Sequence, residues 1–160
     1  VATFAALRRF CASLPGAQAE RKWGNVDTFL VHRKMFAIFT VDARGRTDDL
    51  WFKVDRERFL ELTDRRGRGG PILRPAPYLA RAGWLALADP APLPLAEARA
   101  LLARSHRLVA AGLPLRTQRA LGLEPMRPPR ADGPRLERPR AAAPGRPGLS
   151  ATPKLIAPDR

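Results

Sequence analysis

The residues in this chain best suited to hold an anion stand at two predicted bends. His32, Arg33 and Lys34 separate the apolar runs of "VHRKMFAIF", and Arg44 and Arg46 occupy the next bend, "VDARGRTDD". Guanidinium and ammonium groups carried on stiff paired strands suit the phosphates of a nucleic acid, whose backbone fixes register and orientation. Adjacent hairpins of a meander are expected to bring their tips to neighbouring places, so that Arg33, Lys34, Arg44 and Arg46 form one cationic surface. Lys53, Arg74 and Tyr78 are the expected supporting contacts. Turns of ordinary soluble proteins are charged too, so the tips alone do not separate a binding surface from a solvated one.

Other chemistries find little. His32 falls in a bend and His106 on a predicted charged side of the last helix, each without a local carboxylate to orient its ring, so both read as surface residues rather than general bases. Asp48 and Asp49 open a strand and Asp55 precedes a helix, which makes a two-carboxylate site a poor fit. The glycines of "RGRGGP" at 66–71 follow a helix and precede Pro71, whereas a phosphate cradle needs a strand before the glycines and a helix after them. Cys11 is the only cysteine, which excludes an internal disulfide and a thiolate cluster, and it reads as a small apolar residue on the first helix. Trp23, Trp51, Tyr78 and Trp84 could stack on bases. Trp23 and Trp84 are expected in the core, and Trp51 and Phe52 on opposite faces of one strand. Tyr78, in "RPAPYLARAGW", is explained equally by an anchored lid and by a ligand.

These residues must be placed by a short series of elements. Thr3 caps a helix with Phe4, Leu7, Phe10 or Cys11, and Leu14 inward, and "LPG" stops it. Alternation with a period of two predicts strands over 18–23, 27–32, 35–42 and 48–54, separated by bends at Gly24-Asn25, His32–Lys34 and Ala43–Thr47, hence an antiparallel meander. Asp55 is the expected cap of "RERFLELTDRR", with Phe59 and Leu62 inward. The proline-rich stretch before "WLALAD" is unsuited to a central strand. The last helix, "PLAEARALLARSHRLVAAG", aligns Leu95, Ala98, Leu102, Ser105 and Val109, with Leu101 and Leu108 widening the stripe, and Gly112 closes it. This order predicts an α+β fold with helices on one face of an antiparallel sheet.

Composition bounds the rest. The net charge is +14, with 25 arginines and four lysines, a skew that also suits a genome-wide compositional bias. Residues 1–112 carry +8 and form the expected domain; residues 113–160 carry +6, hold 10 of the 17 prolines and no aromatic residue, and read as a disordered tail able to engage a protein partner. No apolar run of about 18 residues is present, so no membrane is implicated and a cytoplasmic location is expected.

"LPGAQAERKWG", "FLVHRKMFAIF", "LWFKVDRERFLEL" and "RPAPYLARAGWLAL", in that order and followed by an amphipathic helix, resemble the MmcQ/YjbR-like family over about residues 3–111. Trp23, Phe29, Lys34, Phe36, Lys53, Pro75, Pro77, Tyr78 and Trp84 match its recurring pattern. The resemblance implies a CyaY-like twisted sheet and a double-wing role on DNA; with so little catalytic or ligand chemistry in the residues, that role is expected to be non-enzymatic, on duplex DNA, with no cofactor or metal. Where the family often has glycine in the second hairpin turn, this chain has His32-Arg33-Lys34, so a wider turn is expected. The shared fold with frataxin raises iron binding, but the first helix offers Arg8 and Arg9 and no acid before Glu20. The alternatives are an adaptor acting through the tail and, more remotely, an enzyme for an anionic small molecule near Tyr78 and Lys53.

Overall fold

The computed structural model describes residues 1–128. Helix α1 (Phe4–Ser13) starts at Thr3, whose hydroxyl accepts the Ala6 N–H at 3.1 Å, and ends at Leu14, with Leu7 and Cys11 buried. Strands β1 (Ala17–Lys22), β2 (Val26–Val31), β3 (Lys34–Val41) and β4 (Thr47–Lys53) follow, each starting one residue earlier than its period-two pattern predicts. Helix α2 (Arg56–Thr63) leads to a small hairpin, β5 (Arg66–Gly67) and β6 (Gly70–Pro71), which takes up the glycines read as a helix exit. Strand β8 (Trp84–Leu87) and helix α3 (Leu95–Ala110) complete the expected set, and the proline-rich stretch before them adds a short edge strand β7 (Arg74–Pro75) and a 3-10 turn (Ala80–Ala82). The main sheet is antiparallel throughout, in the order β1-β2-β3-β4-β8-β7. The α+β reading of the sequence holds.

The helices cover one face of this sheet. From it Phe29, Phe36, Phe39, Leu50, Phe52 and Leu85 meet Leu7, Leu62, Leu101 and Leu102 in a continuous core. Phe39 packs edge-on against Phe29 at 5.7 Å between ring centroids, and the Arg8 guanidinium lies 4.7 Å above its ring. Asp55 stands at the start of α2 but makes no capping bond; its carboxylate receives both prongs of Arg104 at 2.8 and 2.9 Å instead. The cap expected there is thus an ion pair tying α2 to α3.

Two irregularities set what each sheet face presents. Phe29 pairs with Ala37 and Leu30 with Met35, leaving Phe36 as an extra residue in β3. This bulge turns Phe36 into the core and Met35 to the opposite face, where Ile38 and Thr40 also point. Ser105 of α3 fills the gap it opens. Its hydroxyl donates to the Phe36 carbonyl at 2.6 Å and accepts the Lys53 N–H at 2.9 Å, satisfying two backbone groups that the β3–β4 ladder leaves behind.

The domain does not end at Gly112. Residues 113–128, expected in the tail, include helix α4 (Leu115–Ala120), with Leu113 buried and Leu121 and Leu123 packed on the main core. Buried Gln118 donates to the Leu113 and Met126 carbonyls and accepts the Met126 N–H at 2.8 Å. Leu121 lies so close to Gly16 that a Cβ on Gly16 would fall 2.6 Å from its Cδ2, and Gly16 also needs φ of +70°. Apolar anchors therefore outweigh the prolines here. The remainder of the expected tail, 129–160, lies outside the described residues.

Candidate nucleic-acid interface

The two basic tips do not meet. Successive turns of an antiparallel meander lie at opposite ends of the strand they share, and β3 separates these by about 23 Å at roughly 3.3 Å per residue. At one end Val31 pairs with Lys34, leaving His32 and Arg33 as a tight turn with φ of 49° and 70°. The wider turn expected from the absence of glycine is not formed; both residues enter the left-handed region instead, as a type I′ turn demands. At the other end Asp42 accepts the N–H groups of Arg44 and Arg46 at 2.8 and 2.9 Å, which presents both side chains outward. The single cationic surface expected of the four residues is thus two separate ends.

The supporting residues divide further. Lys34 points to the helical side, its Nζ 3.5 Å from the Gly112 carbonyl just past α3, where a cation complements the helix end. Arg74 makes a two-pronged contact with Asp49, whose carboxylate also accepts the Trp51 indole N–H at 2.8 Å. Lys53 shares the open face with Trp51 and is half-buried. Arg33, Arg44 and Arg46 make no ion pair among the described residues and are exposed.

The face away from the helices carries a feature the sequence reading did not assemble. Trp23, Tyr78 and Trp51 surround an apolar groove of about 290 Å³, floored by Val26, Met35, Ile38 and Thr40 and bounded by Pro77 and Leu79. Trp23 is 72 % exposed, not in the core as expected, because it stands in the β1–β2 turn with φ of 53° beside Gly24 at 77°. Trp84 does lie in a buried cluster, with Ile38, Ala76 and Ala86, under the proline-rich loop. In that loop the Leu79 N–H closes on the Ala76 carbonyl at 3.3 Å. Pro77 and Tyr78 occupy the two central positions, and Tyr78 has φ of 65° where a type II turn favours glycine. Its side chain is fully exposed. A bulky residue held in the left-handed region costs roughly 1–2 kcal/mol, and such strain gathers at functional sites.

The titratable groups are engaged structurally. His106 is buried rather than on a charged surface: its Nε2 donates to the Pro15 carbonyl at 2.7 Å, and its ring meets Phe36 edge-on at 5.0 Å. Burial pushes its pKa below the ordinary histidine value, against the pull of the Pro15 bond and with help from Arg107. Hydrogen bonds from Arg21 and Arg8 hold Asp27 below the usual carboxylate range, and those from Arg104 do the same for Asp55. Asp48 is bonded to the Thr40 hydroxyl. Burial raises the Cys11 thiol to about 12, so at neutral pH it is not a nucleophile. Among the described residues no group of three or more His, Cys, Asp or Glu is placed to hold a metal ion, and no helix is long and apolar enough to cross a membrane.

With this geometry in place, the YjbR family model matches residues 12–108. The chain belongs to the YjbR family. A crystal structure of Deinococcus radiodurans protein DR2400, which carries a DUF419 domain, has the same fold: TM-score 0.61, 23 % identity, covering 78 % of this chain and 91 % of that one. No match is found among curated proteins. The YjbR match takes in the meander, the proline-rich loop and most of α3, and stops before α4. Of the residues quoted for the resemblance, Phe29 and Phe36 build the core beneath the helices, whereas Trp23, Pro77 and Tyr78 border the groove. Val26, Met35 and Ile38 carry no sequence signal as groove residues, because an apolar residue in a strand shows its face only once register and bulges are known.

Proposed function

We propose that this YjbR-family protein is a non-enzymatic nucleic-acid-binding protein that uses the open face of its sheet. The observation that carries this reading is an apolar groove with exposed Trp23 and Tyr78 walls on a chain of net charge +14. Stacking on aromatic side chains and neutralisation of phosphates are the two contributions that such binding combines. Met35, Ile38 and Thr40 line the groove along β3, between the turn bearing Arg33 and the loop bearing Arg44 and Arg46. A strand following β3 meets cations at both ends and aromatic rings between them. The tips thus act as a bracket rather than as paired wings, and Lys53 adds a cation on the groove face, where Lys22, opposite Val26, and the ion-paired Arg74 also stand.

The test is a salt titration of binding between the full chain and a labelled random-sequence oligonucleotide, followed by anisotropy. Affinity is expected to fall with a log-log slope of about 0.7–0.9 per phosphate neutralised. Arg33→Ala, Arg44→Ala and Arg46→Ala together should reduce that slope by roughly two to three. Binding that ignores salt, or a slope unchanged in the triple variant, defeats the proposal.

A further inference from the structure

We infer that the groove takes unpaired bases and does so with little regard to which base, an inference that rests on the nucleic-acid reading above. Its walls offer ring faces, and a base offers a ring face only when it is not enclosed in a stack. Inside a duplex both faces of every base are covered, so Trp23 and Tyr78 can engage a single strand, a loop, an end or an extruded base. The groove is at the small end of ligand pockets, which span about 300–1,000 Å³; that suits a planar ring rather than a folded segment of protein.

Base tolerance follows from how the polar atoms of the lining are already used. The Trp51 indole N–H is given to Asp49 and the Thr40 hydroxyl to Asp48. Val26, Met35, Ile38, Pro77 and Leu79 contribute no hydrogen-bonding side-chain group beyond the weak thioether. The floor therefore has no free side-chain donor, and its one remaining strong acceptor is the Thr40 hydroxyl oxygen; beyond that only the rim groups of Trp23 and Tyr78 could reach a base edge, too few to distinguish four bases. Recognition by stacking without edge readout is tolerant of sequence, because every base has a π-face. The backbone beneath the walls is set in advance: Trp23 and Tyr78 hang from tight turns, so only their side chains are left to order at the moment of binding.

The experiment compares oligo-dT, oligo-dA and a closed circular duplex, which has no ends, at equal nucleotide concentration on the full chain, with Trp23→Ala and Tyr78→Ala as variants. Both wall residues are exposed, so the variants should unfold thermally like the parent. The two single strands are expected to bind within a few-fold of each other and more tightly than the duplex at matched salt. Each variant should weaken single-strand binding by roughly 5- to 100-fold while leaving duplex affinity and salt slope unchanged. Steep, salt-dependent binding that the variants do not alter, or that they weaken equally for duplex, overturns this inference and leaves the nucleic-acid reading standing. A strong preference for one base overturns the tolerance claimed. Absence of salt-dependent binding to all three probes defeats both readings, and a proline-rich peptide that binds through Trp23 and Tyr78 without competition from oligonucleotide assigns the groove to a protein partner.

Discussion

Replacing Tyr78 by glycine separates the groove's cost in stability from its use. The ring is fully exposed, so removing it sacrifices almost no packing. The backbone at φ of 65° is one that glycine adopts freely. Relief of the left-handed strain is worth roughly 1–2 kcal/mol, and the greater freedom of glycine in the unfolded chain takes back about 0.5–1 kcal/mol. The net expectation is stabilisation by about 0.5–1 kcal/mol, an unusual sign for deleting an aromatic residue. For a domain of this size that corresponds to a rise in Tm of about 2–5 °C. Tyr78→Ala deletes the same ring but keeps the Cβ that resists this backbone, so it should leave stability near the parent. Urea unfolding followed by far-UV circular dichroism compares all three proteins, and the same samples are assayed for single-strand binding, which both variants should lose to a similar extent. A Tyr78→Gly variant less stable than the parent by 1 kcal/mol or more would refute the reasoning, since the tyrosine would then be holding structure rather than straining it.

Other consequences are equally direct. Ser105→Ala leaves the Phe36 carbonyl and the Lys53 N–H without their bridge, and at about 1–3 kcal/mol per buried orphan the urea midpoint should fall by the equivalent of roughly 2–4 kcal/mol; a loss under about 0.5 kcal/mol would contradict the bridge. His106 is held neutral when folded, so the unfolded chain binds more protons between the depressed folded pKa and about 6.5. Stability should therefore be full above that range and decline as pH falls through it, and His106→Gln should flatten the slope of urea midpoint against pH. Asp27 and Asp55 act in a separate window, stabilising above the ordinary carboxylate pKa of 3.8 and losing that contribution as pH falls through their lower folded values. Truncation after Gly112 strips Leu113, Gln118, Leu121 and Leu123 from the core, so residues 1–112 should unfold at lower urea than residues 1–128; equal midpoints would mean that α4 contributes nothing.

Much of this fold was legible because its signals are local. Thr3, the alternation of β1 to β4 and the stripe from Leu95 to Val109 each depend on neighbours within one element, and the strands fall within a residue of their expected bounds. His106 was legible in principle: it follows Leu102 by four residues and precedes Val109 by three, so it shares the buried stripe, and its polarity hid that placement. Residues 113–128 were obscured by averaging, since proline content over the whole C-terminal stretch concealed the leucines at 113, 121 and 123 that anchor its first part. Met35 and Phe36 carried no local signal at all. Both are apolar, and the bulge that sends one to each face is stabilised by Ser105, which lies 69 residues beyond Phe36.

The candidate interface departs from the sequence expectation more than the fold does, and the reason is geometric. A meander reverses direction at every turn, so consecutive tips alternate ends; Arg33 cannot neighbour Arg44 and Arg46 however basic the turns are. Turns on the same end are the first and the third, those at Trp23 and at Arg44 to Arg46. That pairing places an exposed indole, not a second basic wing, beside the arginine loop. The relevant surface is consequently the one that spans the strands between the turns, where the loop carrying Tyr78 folds over β4 and β8 and leaves the groove open towards Trp23. In the proposed mode of binding, charge draws in the polyanion from both ends of β3, and the aromatic walls decide what form of it stays. If that division of labour holds, the charge variants alter the salt dependence for every nucleic acid alike, while the ring variants alter the choice between paired and unpaired strands. The two sets of effects should therefore be independent when combined.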